Sequence, residues 1–173
     1  TNQKKISYLS NLYKTVYIKD LVERNKIRKH SEFEKLIKIA ASSIGAPCNP
    51  NKLSNTFKSV ENVNLNPETI SFYLSYLQDA YLIEKSTRYD IKGKKYIGSL
   101  SKYYFTDIGL RNAILNFRQQ EESHIMENII YNELCIKGFA VDVGIVEHQT
   151  TDKDNQTIRK QYEVDFVANL GSQ

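Results

Sequence analysis

The chain has 173 residues, 40% of them hydrophobic and 25% charged, with a mean hydropathy of −0.50 and a net charge of +4. That length holds one domain or two small ones around a real core, and the composition excludes collagen-like, linker-dominated and disordered chains. Cys48 and Cys135 are the only cysteines, which excludes a disulfide framework and a cysteine-rich zinc site and points to a reducing, cytoplasmic compartment; no apolar run reaches the ~18 residues of a membrane span.

The charge is uneven: +6 over residues 1–31, −1 over 32–80, +4 over 81–106 and −5 over 107–173. This asymmetry argues against uniform coating of nucleic acid, while a local phosphate-facing surface stays open beside the plainer reading of a solvated lysine-rich face. The first residues lack the apolar core of a secretory leader and an initiator Met, which predicts a piece of a longer protein. No G-x-x-x-x-G-K-[ST] occurs, so no phosphate loop is expected on this chain.

In chain order, Ile6, Leu9, Tyr13, Val16, Tyr17 and Leu21 recur at spacings of three and four, which predicts an amphipathic helix over 4–24. A basic connector follows, Arg24 to Lys29. Ser31 with Glu34 reads as a capping box for a helix over 32–43, ended by Gly45 and Pro47. A second helix is expected over 50–59. The third opens at Asn66-Pro67-Glu68, a cap residue, a first-turn proline and an acid on the positive dipole end. The period then changes: 81–89 and 96–105 read as two strands joined by a turn at Gly93. A short helix opens at Asp107. The remainder reads as a helix over 122–137 with Ile125, Ile129, Ile130, Leu134 and Cys135 as buried positions, a strand over 140–146, a polar turn over 150–155 and a strand over 159–168. The class is α+β.

Several segments together carry a family resemblance. They are Ser42-Ser43-Ile44-Gly45, Thr69 to Leu77, Ala80-Tyr81-Leu82-Ile83, Lys102 to Arg111, Glu127 to Leu134, and Glu163-Val164-Asp165-Phe166-Val167. In this order they resemble the C-terminal region of prokaryotic AAA-type ATP-binding proteins, where a domain of unknown function follows the ATPase module. The resemblance implies an N-terminal helix and connector at 1–30, a winged helix-turn-helix at 31–106, and a partial restriction-endonuclease-like α/β unit at 107–173. ATP would belong to an upstream ATPase module, which would also be a partner.

In that nuclease fold a helix supplies a Glu, one strand an Asp, and the next strand a Glu-x-Lys. Glu127 matches the helix position and Asp165 the strand position. Glu163 lies two residues earlier and shares a strand face with Asp165, with Val164 and Phe166 opposite. Converging carboxylates suit a hard cation, so Glu127, Glu163 and Asp165 form a candidate weak Mg²⁺ site. The alternative is ordinary solvent-facing alternation, with Glu127 paired to Arg111 or Lys137. No segment supplies the Glu-x-Lys, so no catalytic residue is assigned and the chain is read as non-enzymatic. His124 beside Glu127 lacks a third ligand, Cys135 reads as core, and the 12 tyrosines read mainly as packing.

The expected third helix exposes Glu68, Thr69, Ser71, Phe72 and Ser75, a poor set for holding phosphate. Lys52, Asn55 and Lys58 on the second helix are better, and Arg88, Lys92, Lys94, Lys95 and Lys102 on the hairpin better still. The expectation is weak, salt-sensitive, shape-level binding of DNA. The competing expectation is a protein-interaction module that docks on the ATPase or another partner. No membrane partner is expected.

Overall fold

The computed structural model describes residues 2–60, 62–118, 121–151 and 157–171. The expected N-terminal helix forms as a continuous helical run: α1 (Asn2–Asn11), a π-helical segment (Leu12–Ile18) and α2 (Lys19–Arg24). The wider π turn rotates the apolar stripe so that Tyr13 and Leu21 both face inward while Val16 stays exposed. Next come α3 (His30–Ser42), α4 (Pro50–Val60) and α5 (Pro67–Asp79). Helix α3 begins at His30, with Lys29 at the cap and no side-chain cap, so Ser31 lies in its first turn rather than before it. Asn66 caps α5 as expected, its Oδ1 accepting from the Thr69 N–H at 2.8 Å.

Two antiparallel strands follow, β1 (Ile83–Asp90) and β2 (Lys95–Phe105). Tyr81, expected in the strand, instead has φ 53° and its N–H bonds Gln78 O, so it terminates α5. Opposite the Thr87–Arg88 step, β2 carries extra residues 98–100 as a bulge. Helix α6 (Ile108–Ile114) is capped by Asp107, whose Oδ1 accepts from the Leu110 N–H at 2.9 Å. Helix α7 (Glu122–Ile136), β3 (Ala140–Thr151) and β4 (Thr157–Asn169) complete the chain. The expected polar turn at 150–155 lies mostly outside the described residues.

All four strands form one mixed sheet in the order β2-β1-β3-β4. Strand β3 is antiparallel to β4 and parallel to β1, with Arg88 opposite Val143 and Asp90 opposite Ile145. The last two strands therefore extend the hairpin's sheet instead of forming a sheet of their own. Gly144 sits at this joint. A Cβ there would lie 2.8 Å from Val167 Cγ2 and 2.9 Å from Ile91 Cδ1, closer than packed carbon atoms approach.

The main core joins Phe33, Leu36 and Ile37 of α3, Phe57 of α4, Ile70, Leu74 and Leu77 of α5, and Ile83 and Phe105 of the hairpin. Tyr13 and Leu21 from the N-terminal run belong to it, and so do Leu110 and Ile114 of α6. Neither residue 30 nor residue 106 thus marks an edge of this core. A smaller cluster joins Tyr104, Tyr131 and Val141, with Leu134, Phe139 and Phe166 against it.

The buried face of α7 differs from the expected one. Asn128 and Tyr131 are buried, whereas Ile129 and Ile130 are 47% and 43% exposed and Cys135 is exposed. The reason is polar. Asn128 Oδ1 accepts from the Phe105 N–H and its Nδ2 donates to Phe105 O, both at 2.7 Å. That clamp sets the inward face of the helix, while Ile125 and Leu134 still pack against the two cores as expected. The outer edge of β2 is closed elsewhere too: Gly45 N–H donates to Tyr103 O, and Cys48 and Ser101 exchange two backbone hydrogen bonds.

Candidate functional site

Lys102 lies on β2 opposite Ser86 and is only 4% exposed. Its Nζ lies 2.8 Å from Glu163 Oε1, 2.9 Å from Glu127 Oε1 and 3.9 Å from Asp165 Oδ1. The three carboxylates picked out in the sequence therefore converge in space, but they converge on an ammonium. This corrects the placement of Lys102 among phosphate-contacting residues: a buried cation held by three acids cannot reach a nucleic-acid backbone. Tyr104, two residues along the same strand face, donates its hydroxyl to Glu127 Oε1 at 2.8 Å. Burial alone would lower the Lys102 ammonium; its hydrogen bonds to Glu163 and Glu127, and their charges, outweigh that and hold it above its ordinary value. Burial, followed by the hydrogen bond to Glu127, pushes the Tyr104 phenol far upward.

The surrounding backbone is shaped to admit these groups. Gly45 has φ +70°, and a Cβ on it would meet the Glu127 carboxylate at 3.1 Å. Only a residue free to take left-handed backbone and lacking a side chain fits under that carboxylate. On β4, Asp142 pairs with Val167 and Gly144 with Val164, so residues 165 and 166 together oppose Val143. This bulge breaks strict alternation. It lets Glu163 reach Lys102 while Phe166 packs near Tyr104 and Tyr131, ring centroids 6.2 and 6.4 Å away. The expectation that Phe166 faces away from the acids is corrected by that extra residue.

As a Mg²⁺ site the arrangement does not fit. The position on which the oxygens converge is taken by Nζ, and among the described residues no group of three His, Cys, Asp or Glu side chains is arranged to hold a metal. One lysine against three acids is instead a net-negative ion cluster that ties β2, α7 and β4 together. Glu127 pairs with Lys102 rather than with Arg111 or Lys137.

The remaining candidate residues separate into two groups. Arg88 is half-buried on an interior strand, and its Nη2 reaches Gln161 Oε1 of β4 at 3.5 Å. Lys92, Lys94 and Lys95 are exposed at the β1–β2 turn, and Lys52, Asn55 and Lys58 are exposed on α4. Asp90 Oδ1 accepts from the N–H groups of Lys92 and Gly93 at 3.1 and 2.9 Å, which fixes the turn between the lysines. A groove of about 300 Å³ runs between α5 and the hairpin, lined by Ser71, Ser75, Gln78, Lys85, Ser101 and Tyr103.

Sequence reasoning does not reach Tyr104, Asn128 and Gly45 as parts of the site. The spacing-of-two rule that pairs Glu163 with Asp165 pairs Lys102 with Tyr104 equally well. Asn128→Ala is expected to cost about 1–3 kcal/mol, because it leaves the buried Phe105 N–H unpaired while Asn132 still serves the carbonyl. The urea midpoint reads this; an unchanged midpoint would mean that water replaces the clamp.

Residues 1–121 match a protein family described as "Domain of unknown function (DUF8612)". The chain belongs to that family. The match ends just before α7, so Gly45, Lys102 and Tyr104 lie within it and the three acids beyond it. An uncharacterized protein of Haemophilus influenzae is 33% identical over 148 residues, covering 86% of this chain and 37% of that protein. The uncharacterized protein MJ1544 of Methanocaldococcus jannaschii is 32% identical over 152 residues, covering 88% of this chain and 31% of that protein. The chain thus spans about a third of the length of the curated relatives it matches. No solved structure matches. Among the described residues, no helix is long and apolar enough to cross a membrane.

Proposed function

We propose that this chain is a non-catalytic, DNA-contacting module of a longer cytoplasmic protein, with ATP binding and hydrolysis assigned to an AAA-type module in the remainder. The observation that carries the reading is the β1–β2 turn, where Lys92, Lys94 and Lys95 stand exposed around a turn fixed by Asp90. The order of α3, α4, α5 and the hairpin supports a winged helix, with the turn as its wing tip against phosphate and α4 adding Lys52, Asn55 and Lys58. The polar groove between α5 and the hairpin offers hydroxyl and amide groups but a single lysine, which favours shape-level contact over base reading. The partial nuclease-like unit is read as a support: its acids are occupied by Lys102, and their net negative charge repels phosphate and directs DNA to the wing.

The test is duplex binding by fluorescence anisotropy between about 50 and 200 mM salt. Changing Lys92, Lys94 and Lys95 together to Gln is expected to lower affinity strongly and to reduce the salt slope by about three, roughly one for each phosphate that is no longer neutralised. No binding by the parent at low salt, or an unchanged slope in the variant, would overturn the reading.

One observation favours a second reading, docking onto the remainder of the longer protein. Ile125, Met126, Ile129 and Ile130 form an apolar patch on α7 beside Asn112 and Glu122, and relatives more than twice as long supply the chain that would cover it.

A further inference from the structure

A cavity lies away from the acid cluster, between the π-helical segment, α3 and the end of α6. It has a volume of about 520 Å³ and is lined in part by Tyr13, Lys14, Glu34, Lys38, Ile114 and Asn116. That volume falls in the range of small-molecule sites. Tyr13 is only 6% exposed, and its hydroxyl has no hydrogen-bond partner among the described residues. An unpaired buried hydroxyl is costly and is rarely left so without a reason. Tyr13 lines the cavity with its hydroxyl closed to water, so a ligand entering the cavity reaches that oxygen through a small shift of the ring.

Three further features meet at this place. Lys14 and Lys38 are exposed at the cavity, and no ion pair engages either among the described residues. Among the described residues Glu34 is the only acid in the lining, so those residues carry one net positive charge. The floor is apolar, with Ile18, Ala113 and Ile114. The walls are unusual in backbone as well: Tyr13 and Lys14 sit in the π-helical segment, a form that recurs at functional sites. Asn116 of the lining has φ 52° and Phe117, next in the chain, 57°, a conformation that costs energy for a residue as bulky as Phe.

We infer that this cavity binds a small organic carboxylate, its anionic end met by Lys14, Lys38 and the Tyr13 hydroxyl and its apolar body resting on Ile18, Ala113 and Ile114. Burial first, and the Glu34 charge second, keep the Tyr13 phenol protonated, which makes it a donor to an anion. The site is independent of the DNA-contacting turn.

The experiment is a nuclear magnetic resonance titration of the whole chain with benzoate, and separately with inorganic phosphate at matched ionic strength. Benzoate is expected to shift the Ile114 methyl resonances saturably, and phosphate to give no saturable shift. Tyr13→Phe is expected to weaken benzoate about tenfold, the effect of losing one hydrogen bond to a charged group, and Lys14→Met with Lys38→Met to abolish saturation. Tyr13→Phe keeps the ring and removes only the unpaired oxygen, so without ligand it is expected to melt no lower than the parent. Non-saturating benzoate shifts, equal binding of phosphate, unaltered affinity in Tyr13→Phe, or a lower melting temperature of that variant would each overturn the inference; the last would show that the hydroxyl is paired inside the fold.

Discussion

Replacing Lys102 with methionine is expected to lower the unfolding free energy by about 3–5 kcal/mol, the cost of removing one partner from a buried ion pair. The acids explain the size. Glu127 and Glu163 are 16% and 32% exposed and both lie within 3 Å of Nζ; without the ammonium they face each other with only the Tyr104 hydroxyl to support one of them. Adding Glu127→Gln and Glu163→Gln to the methionine variant should restore much of the loss, because neutral amides remove the repulsion. The folded Lys102 has a value above its ordinary 10.5, so its contribution is complete below that pH and fades as pH climbs through the raised value. The gap between parent and variant should therefore hold through neutral pH and narrow in strong alkali. Urea melts across pH measure it. A cost under about 1 kcal/mol would place the cluster with ordinary solvated surface pairs.

Alkali itself is expected to unfold the chain steeply. Burial first, with the neighbours Glu34, Glu127 and Cys135 adding to it, holds the phenols of Tyr13, Tyr104 and Tyr131 far above their ordinary 10.0. Tyr103 is pushed up to about 12 and the Cys48 thiol up to about 11, both chiefly by burial. In the unfolded chain these groups ionise near their ordinary values, while in the fold they must keep their protons. The raised groups stabilise the fold fully below those ordinary values and lose that contribution above them. Each excluded phenol costs about 1.4 kcal/mol per pH unit, so three cost roughly 4 kcal/mol per unit against a total stability on the order of 5–15 kcal/mol. Unfolding is expected within about two units above pH 10. Phenolate absorbance and far-ultraviolet circular dichroism should change together there. Progressive ionisation of all tyrosines with helix content intact would contradict the burial of these rings.

The helices are legible in the sequence because their signals are local. Asn66 with Pro67, and Asp107, mark helix starts through bonds within four residues, and the buried residues of α3 and α5, Phe33, Leu36 and Ile37 and then Ile70, Tyr73, Leu74 and Leu77, recur at helical spacing. The hairpin is legible for the same reason, through the change of period and Gly93. The union of the two expected units is not. The β1–β3 pairing joins residues more than fifty positions apart through a three-residue register, and nothing in either segment names its partner. The acid cluster is half legible: spacing of two places Glu163 and Asp165 together, but the bulge that brings Phe166 round is a backbone event with no residue signature. Lys102 is misplaced when its charge is counted with the wing, whereas its position beside Tyr104 on a strand ending in the core decides its direction. On α7 hydropathy selects the isoleucines, and a single asparagine with two backbone partners outweighs them.

The closure of β2 makes the sheet one-ended. Along that strand Ser101 and Phe105 have both backbone groups bonded, by Cys48 and Asn128, and Tyr103 has its carbonyl bonded by Gly45, so this half of the edge has little left to offer a newcomer. Strand β4, thirteen residues long, ends the sheet on the other side without a second strand partner among the described residues. Lengthening of this sheet, by more of the same polypeptide or by another molecule, meets less obstruction beside β4 than beside residues 101–105 of β2. It would begin beside Glu163 and Asp165, and the first side chains it brought would land next to the cation that now holds them.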